Sequence, residues 1–291
     1  MIKRIVLKPR TPFSSLFTSD QIWGQFIWAL SDMYGEEKAT KAVRFYSDGK
    51  APVLFSAAMI DGYLVKPQYV NALADFSNET EKSNKKCRWL GYDDFSCLQE
   101  DCMYLKGRKL SLDGNSALDD VQEIHVSISG GTLYNVVYKS SQIPLVVYAD
   151  IINDEWNDIL LDVIENHWEV MGLGGDRNVG RGQFDMYLED LSPVEKKIFD
   201  YRNGSGFVSL SESFGKDLVP LFYNVEAYSG FVGRKNERSS VYRKKPVIRY
   251  LPGSFFREGK GSVVKSADDE SEIYSYGLAF PVFMSLEKDD D

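Results

Sequence analysis

Gly172-Leu-Gly-Gly-Asp-Arg-Asn-Val-Gly-Arg-Gly182, running on into Gln-Phe-Asp-Met-Tyr-Leu188, is the stretch that orders the rest of the chain. Five glycines and two arginines stand in eleven residues, after an amphipathic helix and before a strand-like run. Glycine lets backbone N–H groups approach a ligand with no Cβ in the way and adopts positive φ. Arginine grips phosphate oxygens in pairs. The loop therefore reads as an anion cradle. A dinucleotide fingerprint needs Gly-x-Gly-x-x-Gly leading from strand into helix. Gly172 and Gly174 fit, but Arg177 takes the third place and the order here is helix to strand. A P-loop needs Lys and Ser/Thr after its last glycine. Gly175 and Gly180 have that spacing, but Arg181 and Gly182 follow, so the magnesium-binding hydroxyl is missing. The pattern excludes nucleotide hydrolysis.

Upstream of the loop, Asn153 or Asp154 caps a helix that places Trp156, Ile159, Leu160, Val163, Ile164, His167 and Met171 on one face. His167 on that face reads as a packed histidine, not a catalyst. Before it, Leu145 to Ala149 is an apolar strand, and Ile124 to Ile128 with Leu133 to Tyr138 reads as a hairpin around Gly130-Gly131. Further back, Val53 to Ile60 and Tyr63 to Val65 read as strands. A helix starting at Ser19-Asp20 carries Ile22, Phe26, Ala29, Leu30 and Met33 on one face and stops at Gly35. A short helix over Glu36 to Tyr46 follows it, and Ile2 to Lys8 reads as the first strand. With the strand Phe184 to Leu188, the order is β-α-β-β-α-β, the ferredoxin-like pattern. Residues 66 to about 120 show no clean period, and 77–86 is a polar run, so this region reads as an insertion. After Leu191-Ser-Pro193 the chain turns strand-rich, at Phe207 to Leu210, Leu221 to Tyr228, Val247 to Leu251 and Tyr274 to Met284.

Composition limits the partners. Hydrophobic residues make up 43%, enough for a core, and no apolar run reaches the length of a membrane span. The start, Met-Ile-Lys-Arg-Ile-Val, reads as a strand and not a signal peptide, so a cytoplasmic location is expected. Cys87, Cys97 and Cys102 lack metal-site spacing and read as free thiols. A net charge of −9 argues against wholesale coating of nucleic acid. It leaves room for a local basic groove, because the field at a site depends on local charge. Residues 233–249 hold seven basic residues and only Glu237 as an acid. The segment reads either as one face of such a groove or as a solvated loop.

A glycine loop between the last helix and last strand of a ferredoxin-like fold resembles the RAMP superfamily of CRISPR-associated proteins. Within it, the chain is similar to subunit four of type III-A (Csm) effector complexes. Thr18-Ser-Asp-Gln-Ile-Trp-Gly-Gln-Phe-Ile-Trp-Ala-Leu-Ser-Asp-Met-Tyr-Gly-Glu-Glu37 looks like that family's opening helix. Gly172 to Phe184 is similar to its Gly-Ile-Gly-Gly-Lys-x-x-x-Gly-x-Gly-x-Phe pattern, with Asp176 in place of the usual basic residue. Tyr228-Ser-Gly-Phe-Val232, Pro252-Gly-Ser-Phe-Phe256 and Tyr276-Gly-Leu-Ala-Phe280 resemble its later signatures. The resemblance covers most of the chain outside about 66–120.

The resemblance implies an α+β fold of two ferredoxin-like (RRM-like) domains. The first, 1–190, would carry the insertion, about 66–140, with a thumb-like hairpin; the second would span 191–291. It implies a non-catalytic subunit that holds the repeat-derived 5′ tag of crRNA in an antiviral ribonucleoprotein complex. Its partners would be the large polymerase-like subunit and the first backbone RAMP subunit, with no membrane, metal or other cofactor. The expected phosphate contacts are Gly174, Gly175, Arg177, Asn178, Gly180, Arg181 and Gly182. Tyr134, Asn135 and Lys139 on the hairpin are candidate RNA contacts. Arg234, Lys235, Arg243 and Lys244 either extend the tag groove or face a partner. Ser19 and Asp20 either cap the first helix or, with its N-terminal amides, form a second anion site. Phe184 and Tyr187 are expected to pack in the core. The rival expectation is a metal-independent crRNA-processing endoribonuclease. Only His125 and His167 could supply a histidine base, and neither lies in the first helix, where a related processing enzyme carries one. A generic RNA-binding or assembly module is the third.

Overall fold

The computed structural model describes residues 1–72, 82, 84–111, 113–126, 131–230, 243–266 and 273–286. Much of the polar run 77–86, residues 127–130 with the expected turn glycine Gly130, and Arg234 and Lys235 lie outside these described residues. The chain is mixed α/β with several antiparallel sheets. None of its described helices is long and apolar enough to cross a membrane.

The N-terminal half opens with β1 (Ile2–Pro9), α1 (Ser19–Tyr34) and α2 (Glu36–Ser47). Strands β2 (Val53–Phe55), β3 (Met59–Ile60) and β4 (Tyr63–Val65) come next, then the short α3 (Gln68–Ala72). They are followed by β5 (Trp89–Gly91), α4 (Tyr92–Glu100) and the hairpin β6 (Asp119–Val126) and β7 (Leu133–Ser140). Then come β8 (Leu145–Ile151), α5 (Asp154–Val163) and β9 (Phe184–Asp190). The main sheet runs β2-β8-β1-β9, antiparallel at every contact, with β3 also on β8. Its central strands β1 and β8 carry the consecutive buried residues Arg4–Leu7 and Leu145–Ala149, as expected where both faces are covered.

Thr18, not Ser19 or Asp20, caps α1; its hydroxyl accepts from Gln21 N–H while the Gln21 side chain accepts from Thr18 N–H. Asn153 caps α5 as expected. That helix continues through a π turn, Ile164–Trp168, into a last turn, Glu169–Met171. The extra residue of the π turn rotates the end of the helix about its axis. His167 is buried as expected; past the π turn Trp168 is buried too, while Met171, expected on the core face, is half-exposed.

The described residues of the stretch expected as an insertion pack onto the body. Tyr69, Cys87, Trp89, Leu90, Phe95, Leu98 and Leu110 are all buried in the main core. Gln99 on α4 donates to the carbonyls of Ile198 and Phe283, tying α4 to the C-terminal half. That half has α6 (Pro193–Asp200), capped by a Ser192–Glu195 box, where the apolar pattern marks strands alone. Among its described residues only strands follow. These are β10 (Gly206–Ser209), β11 (Pro220–Phe222), β12 (Val225–Tyr228), β13 (Val247–Tyr250), β14 (Phe255–Phe256), β15 (Gly261–Lys265), β16 (Tyr274–Leu278) and β17 (Pro281–Met284). They form the sheet β11-β14-β10-β17 and the pairs β12-β13 and β15-β16.

The halves share a core. Trp23 of α1 stacks on Tyr276 of β16 with ring centroids 5.6 Å apart, and the Tyr276 hydroxyl accepts from Phe55 N–H. Each fully buried ring contributes about 1.5–3 kcal/mol through removal from water.

Candidate nucleic-acid interface

The glycine loop is a closed neck with an open tip. At the neck, Leu173 N–H donates to Gly182 O at 2.8 Å and Gly182 N–H donates to Pro12 O at 3.0 Å. A Cβ on Gly182 would sit 2.0 Å from Leu173 O, and one on Gly172 would sit 2.6 Å from Gly182 O. The two chain ends can pass this close only because both positions are glycine. Next to the neck, Phe13, Phe17 and Phe184 form a buried triangle of rings with centroids 5.5–6.0 Å apart. Phe184 is thus core, as expected. Tyr187, also expected in the core, is half-exposed with Lys8 Nζ 4.8 Å above its ring. The period of 2 explains the difference: Phe184 and Met186 face inward and Tyr187 faces outward.

Asp176 shapes the tip. It takes the left-handed conformation at φ 57°, which Asp tolerates better than most residues. Its carbonyl accepts from Val179 N–H and Arg181 N–H, and its carboxylate accepts from the Tyr138 hydroxyl at 3.1 Å. Burial and this hydrogen bond both raise the Tyr138 pKa. An acid at the place of the resembled family's basic residue is thereby accounted for as a brace between loop and hairpin. Among the described residues no acceptor takes the N–H groups of Gly174, Gly175 or Asp176. Three successive unpartnered amides suit an anion.

The two arginines differ. Arg177 is half-buried, with Nη1 donating to Gln25 Oε1 at 3.1 Å and to Gly172 O at 3.4 Å. Burial lowers its pKa, opposed by Asp32. It braces the loop against α1. Arg181 lies over the Tyr138 ring at 5.1 Å and pairs through Nη2 with Glu123 of β6. The Glu123 carboxyl is raised by desolvation but held below its ordinary pKa overall by His125 and Arg181. Asn178 and Gly180 are exposed at the tip.

The predicted hairpin contacts divide. Across β6 and β7, Tyr134 shares a face with His125 and Tyr138, the side that meets the glycine loop. Asn135 and Lys139 have the opposite parity, and Lys139 Nζ pairs with Asp120. The hairpin joins the body at a bridge between Phe13 and Lys139.

The expected second anion site at α1 is already occupied. Ser19 is fully buried, and both its N–H and its hydroxyl donate to Glu212 Oε2 at 2.8 Å. Asp20 is 5% exposed and accepts from Tyr276 N–H and from Lys244 Nζ at 3.0 and 3.1 Å. The carboxylate of Glu212 answers the helix N-terminus from within the chain, so Ser19, Asp20 and Lys244 are joined in a latch between the halves. Arg243 is exposed beside Lys244. Glu123, His125 and Tyr138 were not foreseen as members of the loop site. Their shared parity across the hairpin was the available signal.

The histidines give no catalytic pair with each other. His167 is buried with Nε2 3.2 Å from Asp32, and His125 stands on the hairpin 3.3 Å from Glu123. Among the described residues no three His, Cys, Asp or Glu side chains converge as metal ligands.

No family profile matches the sequence, and no curated protein is similar to it. Solved structures share the fold. One chain of a Csm3-Csm4 subcomplex in the type III-A CRISPR-Cas interference complex superposes with TM-score 0.72 at 17% identity, covering 96% of this chain and 98% of that one. A chain of a Csm1-Csm4 cassette in complex with pppApA gives TM-score 0.69 at 17% identity over 99% of this chain and 100% of that one. A chain of the same cassette in complex with AMPPNP gives 0.67 at 18% identity, over 99% of each. End to end, this protein has the fold of a chain found in those Csm assemblies.

Proposed function

We propose that the protein is the tag-holding fourth subunit of a type III-A CRISPR effector complex, acting in the cytoplasm in antiviral defence. It grips the 5′ tag of crRNA at the glycine loop and docks the large polymerase-like subunit and the first backbone subunit. It is not itself a nuclease. The observation that carries this reading is the run of amides at Gly174, Gly175 and Asp176, with no acceptor among the described residues, beside Arg181, in a chain whose fold matches the Csm chains over nearly its full length. Arg181, the loop amides and the exposed Asn178 are the phosphate contacts. Tyr134 offers a half-exposed ring for a base on the same side. Arg177 acts by holding the loop's shape.

The sheet order β2-β8-β1-β9, with α1 and α5 as crossovers, supports a ferredoxin-like first domain over 1–190. The second unit, 191–291, has one helix among its described residues, so its ferredoxin-like reading rests on its four-stranded sheet alone.

Co-expression with the two partner subunits and a repeat–spacer transcript tests the proposal. Recovery of this chain in one assembly with both partners and a crRNA retaining its 5′ tag is expected. Metal-independent cleavage of repeat RNA by the purified chain, lost on His125→Ala, would overturn the non-catalytic reading in favour of the processing enzyme.

A further inference from the structure

The hairpin meets the glycine loop at two carboxylates, and they do different work. Asp176 is fixed by its own backbone and accepts one hydrogen bond, from the Tyr138 hydroxyl. Glu123 turns both oxygens toward Arg181 Nη2 and lies 3.3 Å from His125 Nε2. Two acceptor oxygens set against an arginine are what a phosphodiester also offers, and the imidazole alongside could donate to either. The arginine is only partly satisfied: its Nε is buried and has no acceptor among the described residues. Glu123 keeps 24% of its side chain exposed, so it can leave the pair for water. Arg181 also lies against the Tyr138 ring, which keeps the guanidinium in place when its acid departs.

Resting on the reading of the loop as an RNA cradle, we infer that Glu123 is an internal stand-in for the RNA phosphate. Without RNA it holds Arg181 and closes the hairpin on the loop. A backbone phosphate then displaces it, so every tag that binds does so in competition with Glu123. The competition favours a strand over a lone anion. Neighbouring phosphates reach the amides of Gly174, Gly175 and Asp176 while one displaces the acid; a free phosphate gains only one of these. The attachment at Phe13 and Lys139 stays intact as the clasp opens.

The test measures 5′-tag RNA binding by the assembled complex carrying Glu123→Gln, Arg181→Ala or both, with Glu165→Gln as a control for net charge. Glu165 is exposed on the π turn, at the opposite end of the last helical turn from the loop. Glu123→Gln is expected to tighten binding about three- to tenfold, the range for removing a half-buried charge-assisted competitor. Glu165→Gln should stay within about twofold, as for a distant screened charge. In the Arg181→Ala background the gain from Glu123→Gln should vanish, because the competitor has nothing to hold. A gain matched by Glu165→Gln, or one that persists without Arg181, overturns the stand-in. So does an unchanged or weakened Glu123→Gln complex with an unchanged melting temperature. If the wild-type complex ignores the tag altogether, the cradle reading itself is what fails.

Discussion

Replacing Gly182 with alanine separates a loop shaped by close backbone approach from one that is merely rich in glycine. At φ +66° alanine pays about 1–2 kcal/mol for the left-handed region. The larger effect is contact. The new Cβ would lie 2.0 Å from Leu173 O, so the two backbones must part by more than an ångström. That breaks Leu173 N–H to Gly182 O and Gly182 N–H to Pro12 O, about 1 kcal/mol each. Gly182→Ala should cost about 3–4 kcal/mol. Gly180 is the internal comparison: its φ is +80° and an added Cβ meets nothing within 4 Å. Gly180→Ala should therefore cost only the backbone term, about 1–2 kcal/mol. The entropy that alanine removes from the unfolded chain is common to both and cancels. Urea denaturation of the two variants reads the difference, about 2 kcal/mol. Equal midpoints and equal slopes would refute the closed neck.

The arginines should separate in the same assay. Arg177→Ala is expected to destabilise by about 1–2 kcal/mol, since it removes the half-buried brace to Gln25 and Gly172. Arg181→Ala removes a partly exposed ion pair and a contact with the Tyr138 ring, and its main effect is expected on RNA binding and not on stability. It should also lower the slope of log affinity for tag RNA against log salt by about 0.7, one single-strand phosphate contact. Glu212 predicts a pH effect of a definite sign. Burial, opposed by Arg249 and Ser19, lifts its pKa above the ordinary value. Its contribution to stability is then complete below the unfolded carboxyl pKa and declines as pH rises through the folded one. Glu212→Gln keeps an acceptor for Ser19 and removes that decline. Stability measured at pH 4 and pH 8 should therefore show the variant gaining on the wild type as pH rises. A wild type that instead gains on the variant toward pH 8 would contradict the assignment.

What the sequence made legible followed its periodicities. Strands β1, β8 and β9, helices α1, α2 and α5 and the position of the glycine loop could be read from apolar spacing and from caps such as Asn153, whereas Val53 to Ile60, expected as one strand, is broken into β2 and β3. Residues 66 to about 120 were not legible. The buried Tyr69, Trp89, Phe95 and Leu98 belong to short elements that take their order from tertiary packing, not from a period. The π turn shifted the face of α5 without any mark in composition. Helix α6 is marked in the sequence by Ser192-Pro-Val-Glu195, a capping box with proline at its first turn, but it is too short to show an apolar period. At the site, residue types pointed to an anion cradle, but side-chain partners decided roles. Arg177, Lys244, Ser19 and Asp20 are spent on internal bonds that only the folded chain reveals.

The most direct test is photo-crosslinking of a crRNA carrying 4-thiouridine in its 5′ tag, within the assembled wild-type complex, with the crosslinked peptides identified by mass spectrometry. Crosslinks are expected from the tag to the peptides spanning 172–183 and 131–140. Tag crosslinks elsewhere on this chain or only on the partner subunits, with both of these peptides unmodified, would contradict the tag-holding reading.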